Sequence, residues 1–388
     1  MPHEEILCPV ARITPDWPYH FFGYYDKSPW DASGRYLLAK RVAFMRRPPT
    51  PEDMAVIGLI DLQEDNRWRP LADTTAWYWQ QGCMLQWLPS APDRKIIYNT
   101  RTSAGFGSAI LDIETGERRD LPRPIYALTP DGRSAVTLNF SRVHRTRPGY
   151  GYVGVTDPWE GDLAPKEDGL YCMDLDTGES RLIVSLTQMA AYDPEPTMAG
   201  AEHWFNHLQF NTAGTRFLFL HRWKQPGGAW RRTRMFTANP DGSDIVFLGR
   251  EGMVSHFDWR DESHILAWST YGGENRYHLY EDRSDRVDIV GEDVFDQDGH
   301  CSYSPDRQWV LTDTYPSRDR SERTLIVYHP ETNRRIDIGR FYAAPDITGE
   351  IRCDLHPRWS RDGRQVCFDS IHEGGRQMYV ADVSGIVG

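Results

Sequence analysis

The stretch His356-Pro357-Arg358-Trp359-Ser360-Arg361-Asp362-Gly363-Arg364 is one copy of a unit that recurs along the chain. His300-Cys301-Ser302-Tyr303-Ser304-Pro305-Asp306 is a second copy and His256-Phe257-Asp258-Trp259-Arg260-Asp261 a third. His207-Leu208-Gln209-Phe210-Asn211-Thr212-Ala213-Gly214 is a fourth. Each opens on His, carries an aromatic residue three positions later, reaches a turn and runs into an apolar, β-rich segment. A unit returning every roughly 45–50 residues is the mark of a propeller or a similar repeat array. Four histidines at one repeat position would then meet around one axis.

Working outward, the same frame extends to the amino-terminal half. Lys27-Ser28-Pro29-Trp30-Asp31-Ala32-Ser33-Gly34-Arg35 aligns with the opening stretch, with Lys27 in place of His. Met84-Leu85-Gln86-Trp87 and Tyr126-Ala127-Leu128-Thr129-Pro130-Asp131-Gly132 open two further units. The sum is an all-β, seven-bladed propeller of four-stranded antiparallel blades spanning residues 1–388 as one domain. The last unit lacks an outer strand, while residues 6–14 read as a strand without a preceding copy. That strand is expected to complete the last blade, closing the ring and removing an exposed edge. Segments 141–168 and 187–204, rich in Gly, Pro, Asp and Glu, fit the blade pattern poorly and read as functional or mobile loops.

The composition agrees. Among 388 residues, 14 Trp, 19 Tyr, 32 Gly and 26 Pro suit short strands and tight turns better than helices. No apolar run is long enough to span a membrane. The formal net charge of −12 argues against nucleic-acid partners and an anionic membrane surface. Six scattered cysteines form no paired framework, and Met1-Pro2-His3-Glu4-Glu5 has neither a basic nor an apolar leader region. Reduced thiols and a cytoplasmic location are the expectation.

In an antiparallel blade, the start of the first strand and the loop joining the second to the third lie at one end. The residues expected at that face are unusually basic. Lys27, Gln81, His207, His256, His300 and His356 come from strand starts. Asn99, Arg101, Arg142, His144, Arg147, Tyr150, Tyr152, His221, Arg222, Arg231, Arg318 and Arg320 come from strand ends and loops. An acidic protein that gathers guanidinium groups at one opening points to an anionic ligand, because Arg matches carboxylates bidentately. Gln297-x-x-His300, flanked by His256 and His356, is the candidate metal set. Imidazole plus an amide oxygen suits Mn²⁺ or Zn²⁺ better than Ca²⁺. Asn206-His207 with His221-Arg222 offers a proton acceptor beside a cation.

The His-x-x-aromatic strand starts, the Gln297-x-x-His300 pair and the His207…His221-Arg222 hairpin resemble oligogalacturonate lyases. Related seven-bladed polysaccharide lyases acting on ulvan and on rhamnose–glucuronate units share the likeness. It spans nearly the whole repeat array and is strongest from about residue 200 onward. In that family a divalent metal sits on Gln-x-x-His-x-His plus a His from another blade. Here Gln297 and His300 match, Ser302 stands at the second His, and His256 or His356 would complete the set. The resemblance implies β-elimination on a short uronate-containing oligosaccharide. His207 or His221 would then be the base, Arg222 the carboxylate partner, and Tyr150 or Tyr152 the acid. Lys27, Gln81, Asn99, Arg101, Arg142, His144, Arg147 and Tyr152 would bind the saccharide. A non-catalytic propeller of TolB type, binding a glycan or a protein, is the alternative. Glycoside hydrolysis would need two acidic side chains at the opening, where few stand.

Overall fold

Trp30, Trp87, Trp259 and Trp359 stand three positions after the start of their repeats. In the computed structural model, which describes residues 3–15, 18–228, 231–316, 319 and 321–388, three of these indoles donate to a carbonyl of the preceding blade. Trp87 Nε1 donates to Pro29 O (2.8 Å), Trp259 Nε1 to Gln209 O (3.2 Å) and Trp359 Nε1 to Ser302 O (3.3 Å). Each indole thereby buries a large apolar ring and satisfies its one donor at once. Truncating one of them to Ala is expected to cost about 3–5 kcal/mol.

Seven sheets follow from the seven units. The first blade is Tyr19–Phe21, Tyr36–Val42, Ala55–Asp61 and Arg67–Thr74, and the second is Gln86–Trp87, Lys95–Thr102, Gly105–Asp112 and Arg118–Leu121. The third holds Ala127–Leu128, Ser134–Thr137, Gly169–Asp174 and Ser180–Ser185; the fourth Glu202–Phe210, Phe217–Lys224, Arg232–Ala238 and Val246–Gly249. The fifth is Val254–Trp259, His264–Tyr271, Glu274–Glu281 and Val287–Val290. Ser302–Tyr303, Val310–Asp313, Glu322–His329 and Arg334–Tyr342 make the sixth, and Arg358–Trp359, Gln365–Ser370 and Gln377–Asp382 the seventh. Middle strands such as Ala55–Asp61 and Phe217–Lys224 are buried almost throughout, as strands covered on both faces must be. The turns after the inner strands need a left-handed residue, which Gly34, Gly132, Gly214 and Gly363 supply at φ of +70 to +74°.

The amino terminus closes the ring as expected, and does more. Val10–Arg12 pairs antiparallel with Gln377–Asp382 and completes the seventh blade. His3–Glu5 then adds parallel to Arg334–Tyr342, giving the sixth blade a fifth strand. The first blade also differs from the expectation. Its inner strand begins at Tyr19, leaves the sheet after Phe21, and returns at Trp30, which bridges Leu37. The two segments read as loops hold short helices, Phe140–Thr146 capped by Asn139 and Leu186–Ala191 capped by Ser185. No helix is long and apolar enough to cross a membrane among the described residues.

Candidate functional site

The axial histidines do not open strands; they sit on irregularities within or before them. In the fourth blade Asn206 pairs with Leu220 and Leu208 with Phe219, which leaves His207 as an unpaired bulge at φ +50°. The fifth blade skips pairing between Val254 and Phe257, around His256. His356 stands at φ +42°, and Met84 holds the matching place in the second blade at φ +53°. A left-handed conformation is uncommon outside glycine, and bulges of this kind re-aim a side chain. Here they aim imidazoles at the axis.

The result is a buried ring. His256 and His300 have centroids 4.0 Å apart, His300 and His356 4.4 Å, and His207 and His256 6.5 Å. All four are at most 5% exposed. Asp313 accepts from His300 Nδ1 at 2.8 Å and Asp298 faces His256 Nδ1 at 3.0 Å. A carboxylate on one ring nitrogen fixes the tautomer and leaves the other nitrogen's lone pair available. Nε2 of His300 and Nε2 of His356 have no hydrogen-bond partner among the described residues. Burial and the neighbouring His300 hold His356 well below the ordinary imidazole range, so it is neutral. The donor atoms of His300, Asp354 and His356 lie within 4.8 Å of one another. Asp354 is fully ionised despite burial, because Arg352 and Arg323 bond its two oxygens at 2.6 and 2.7 Å.

Beside the ring lies a basic wall. Arg222 is 1% exposed and its Nε and one terminal nitrogen have no hydrogen-bond partner among the described residues. Burial, Arg231 and Arg147 pull its pKa well below the usual guanidinium range. No carboxylate pairs with Arg147, Arg222 or Arg231 among the described residues. Tyr150 is 2% exposed, accepts from Arg352 at 2.7 Å and carries Arg147 4.1 Å above its ring. Burial by itself would raise that phenol, but Arg147 and Arg352 outweigh it and bring it to about 7. His207, 5.9 Å from Tyr150 ring to ring, is kept neutral by burial and by Arg222. Its Nδ1 faces the Tyr126 hydroxyl (3.3 Å) and the Gln81 amide (3.4 Å), and its Nε2 the Tyr24 hydroxyl (3.2 Å).

Other residues expected at this opening stand elsewhere. His221 and Arg222 are neighbours on one strand, so they face opposite sides of the sheet. Both nitrogens of His221 are taken, by His203 (2.9 Å) and Arg234 (3.3 Å). Gln297 is exposed at the surface, and its neighbour Asp298 makes the contact to the ring instead. Asn99 spends both polar atoms stitching the second blade to Ile125, with Tyr152 also bonded to it. Tyr152 stacks on Phe140 at 4.4 Å, and Arg142 clamps the carbonyls of Asp162, Leu163 and His203. Lys27 pairs with Asp26 (2.5 Å) and lines a cavity of about 480 Å³ at the other mouth of the channel. His144 packs on Tyr78 and Arg101 lies half-buried against Gly154. Arg318 and Arg320 lie outside the described residues.

Four residues escaped the sequence reading: Tyr24, Asp298, Asp313 and Asp354. One signal was available, since Asp298-Gly299-His300 and Asp354-Leu355-His356 repeat the spacing Asp-x-His in consecutive blades.

No family model matches the chain, and no curated protein matches it. Solved structures do. An oligogalacturonate lyase from Vibrio parahaemolyticus is 16% identical over 98% of this chain and 96% of its own, with a TM-score of 0.68. An oligogalacturonate lyase in complex with manganese is 17% identical over 97% and 93%, again at 0.68. The propeller domain of the Trilobed protease of Pyrococcus furiosus is 11% identical over 90% of each chain, at 0.53. These likenesses establish the propeller fold, and the chain bears a distant structural resemblance to the oligogalacturonate lyases.

Proposed function

We propose that this chain is a carbon–oxygen lyase that cleaves short uronate-containing oligosaccharides in the cytoplasm by β-elimination. One observation carries the reading: the Arg222 guanidinium, without a counter-ion among the described residues, is buried beside neutral imidazoles and a phenol of pKa about 7, with Arg147 half-buried and Arg231 exposed nearby. Uncompensated buried charge is expensive, and a ligand carboxylate is its natural counter-ion.

Elimination requires loss of the C5 proton, which is far too weakly acidic until the adjacent carboxylate is neutralised. Arg222 binds that carboxylate, with Arg147 and Arg231 adding positive potential in a site of low dielectric. The neutral imidazole of His207 takes the C5 proton, the C5–H electron pair forms the C4–C5 double bond, and the C4–O bond breaks. Tyr150 delivers a proton to the departing oxygen.

The buried nitrogens also fit a divalent ion. His300 Nε2 and His356 Nε2 are orphaned, and a carboxylate orients the opposite nitrogen of His300. His300, His356 and Asp354, with His256 alongside, would hold it; set on the family motif, Asp354-x-His356 has Asp in one His position and Ile351 in the Gln position. When bound, the ion supplies Lewis-acid neutralisation of the uronate carboxylate. Imidazole and carboxylate donors favour Mn²⁺ or Zn²⁺ over Ca²⁺.

Incubation with a panel of uronate oligosaccharides, following the ultraviolet absorbance of the unsaturated product with and without a chelator, tests the reading. Product formation that is lost in Arg222→Ala supports it. Absence of an unsaturated product on every uronate would refute it.

A further inference from the structure

Tyr24 stands at the centre of the axial ring, and the way it is held there is unusual. Its ring stacks on His207 at 5.0 Å and 15°, and meets His356 at 5.0 Å, His300 at 6.1 Å and Tyr150 at 6.2 Å. Its hydroxyl is 3.2 Å from His207 Nε2. Tyr24 reaches this place because the inner strand of the first blade is interrupted over residues 22–29, where the fourth blade has the single bulged His207.

Three buried charged side chains hold the two residues before it. Asp369 accepts from the amides of Phe22 (3.3 Å) and Gly23 (3.4 Å). Arg358 donates to Gly23 O (3.1 Å) and to Asp369 (2.8 Å), and Lys40 donates to Phe22 O. Their exposures are 2%, 2% and 0%. Gly23 sits at φ +132°, with the Gln81 backbone 3.1 Å from where a Cβ would stand, so no other residue fits without strain. Lys40 comes from the first blade, Arg358 and Asp369 from the seventh. A hydrophobic cluster would stabilise this seam at least as well as a buried ionic triad. The triad does something a hydrophobic cluster cannot: it fixes both carbonyls and both amides of the dipeptide that launches Tyr24.

We propose that Tyr24 is a positioning residue that orients the His207 imidazole, and that Lys40, Arg358 and Asp369 form the buried anchor that sets it. The inference rests on the reading of His207 as the proton acceptor. If the anchor served ring closure alone, its loss would lower stability and leave His207 untouched.

The test compares Tyr24→Phe, Asp369→Asn, their double variant and Arg358→Lys with Val366→Ala, a core change in the same seventh blade. On a uronate substrate, Tyr24→Phe is expected to lower kcat about tenfold with KM within about twofold, as loss of one orienting hydrogen bond would. Asp369→Asn should do the same, and the double variant should fall no further than the worse single, the sign of a shared pathway. Val366→Ala should lower Tm while keeping kcat. Arg358→Lys, which keeps the charge, should retain more of kcat than Asp369→Asn and serves if the latter does not fold. Independently of any substrate, ¹⁵N-histidine NMR should show the His207 ring nitrogens displaced alike in Tyr24→Phe and Asp369→Asn. Additive losses, equal loss in Val366→Ala, or an unmoved His207 signal would overturn the inference. A wild type that turns over no uronate would sink the lyase reading alone, and the NMR comparison would still decide the anchor.

Discussion

The two ends of the channel are built from the same repeat phase and end in opposite electrostatic states. At one end His207, His256, His300 and His356 converge with Arg147, Arg222 and Arg231. Two positions further along each strand, Gln209, Asp258, Ser302 and Arg358 converge at the other mouth, around Asp26 and Lys27. There the charges are matched. Asp26 pairs with Lys27, Asp258 accepts from Gln209 (2.6 Å) and from the Tyr303 amide (2.8 Å), and Arg358 binds Asp369 (2.8 Å). At the histidine end the buried Arg222 has no counter-ion, and His300 Nε2 and His356 Nε2 have no hydrogen-bond partner, among the described residues. Convergence of polar side chains at equivalent blade positions is therefore a property of the architecture. Single unsatisfied atoms occur at both ends, Asp26 Oδ1, Gln209 Oε1 and Ser302 Oγ among them, so what sets the histidine end apart is buried charge without a counter-ion.

The sharpest way to break this contrast is to remove one guanidinium from each end. Arg222→Met should abolish turnover, a loss of about a thousandfold or more for a group that binds the reacting carboxylate. It should also raise Tm, because an uncompensated buried charge disappears. Arg358→Met, at the matched end, should lower stability by about 3–5 kcal/mol in denaturant unfolding, because it strands Asp369. Equal stability changes in the two variants would contradict the contrast.

Metal retention comes next. His300→Ala and His356→Ala should lose metal on dialysis, read by elemental analysis, and Asp313→Asn should weaken binding about 10–100-fold through the tautomer it sets. Gln297→Ala should bind metal like the wild type, since that side chain is at the surface. Retention lost in Gln297→Ala alone would restore the ligand set expected from sequence.

Acid stability gives a smaller effect, away from both ends. Burial holds His203, stacked on His221, at about 4. Its folded pKa lies below the unfolded value, so its contribution is whole above about 6.5 and is lost as the pH falls toward 4. The loss should reach about 3 kcal/mol, from 1.36 kcal/mol per pKa unit. Unfolding midpoints of wild type and His203→Phe between those limits check the sign, since the variant should lose the steeper pH dependence.

The gentlest test concerns rate against pH. With Tyr150 as the acid and a pKa of about 7, kcat should fall as pH rises through that value, and Tyr150→Phe should remove that limb. A rise through the same pH would exchange the roles of Tyr150 and His207.

Much of the fold was legible because its signals are local. The aromatic at the third position after His, the turn glycine and the apolar run define a blade without knowledge of its neighbours, and the missing outer strand announced the ring closure. The site was legible only in part. The convergence of His207, His256, His300 and His356 was legible because the repeat carries them, and the place of Arg222 beside them because it ends a second strand. His221 was misplaced, because one residue along a strand reverses the face. Gln297 was misplaced because spacing does not say which way a loop turns, and Tyr24 was missed because no other copy has its loop.

What the sequence determined by itself is the ring: period, turn residues and inter-blade aromatics act over a few residues and need no long-range information. Only the tertiary structure decided which polar groups at the axis remain unpaired. That depends on bulges at positive φ, on a loop held by charges from two blades, and on carboxylates more than ten residues away, and each of these contacts exists only once the ring has closed.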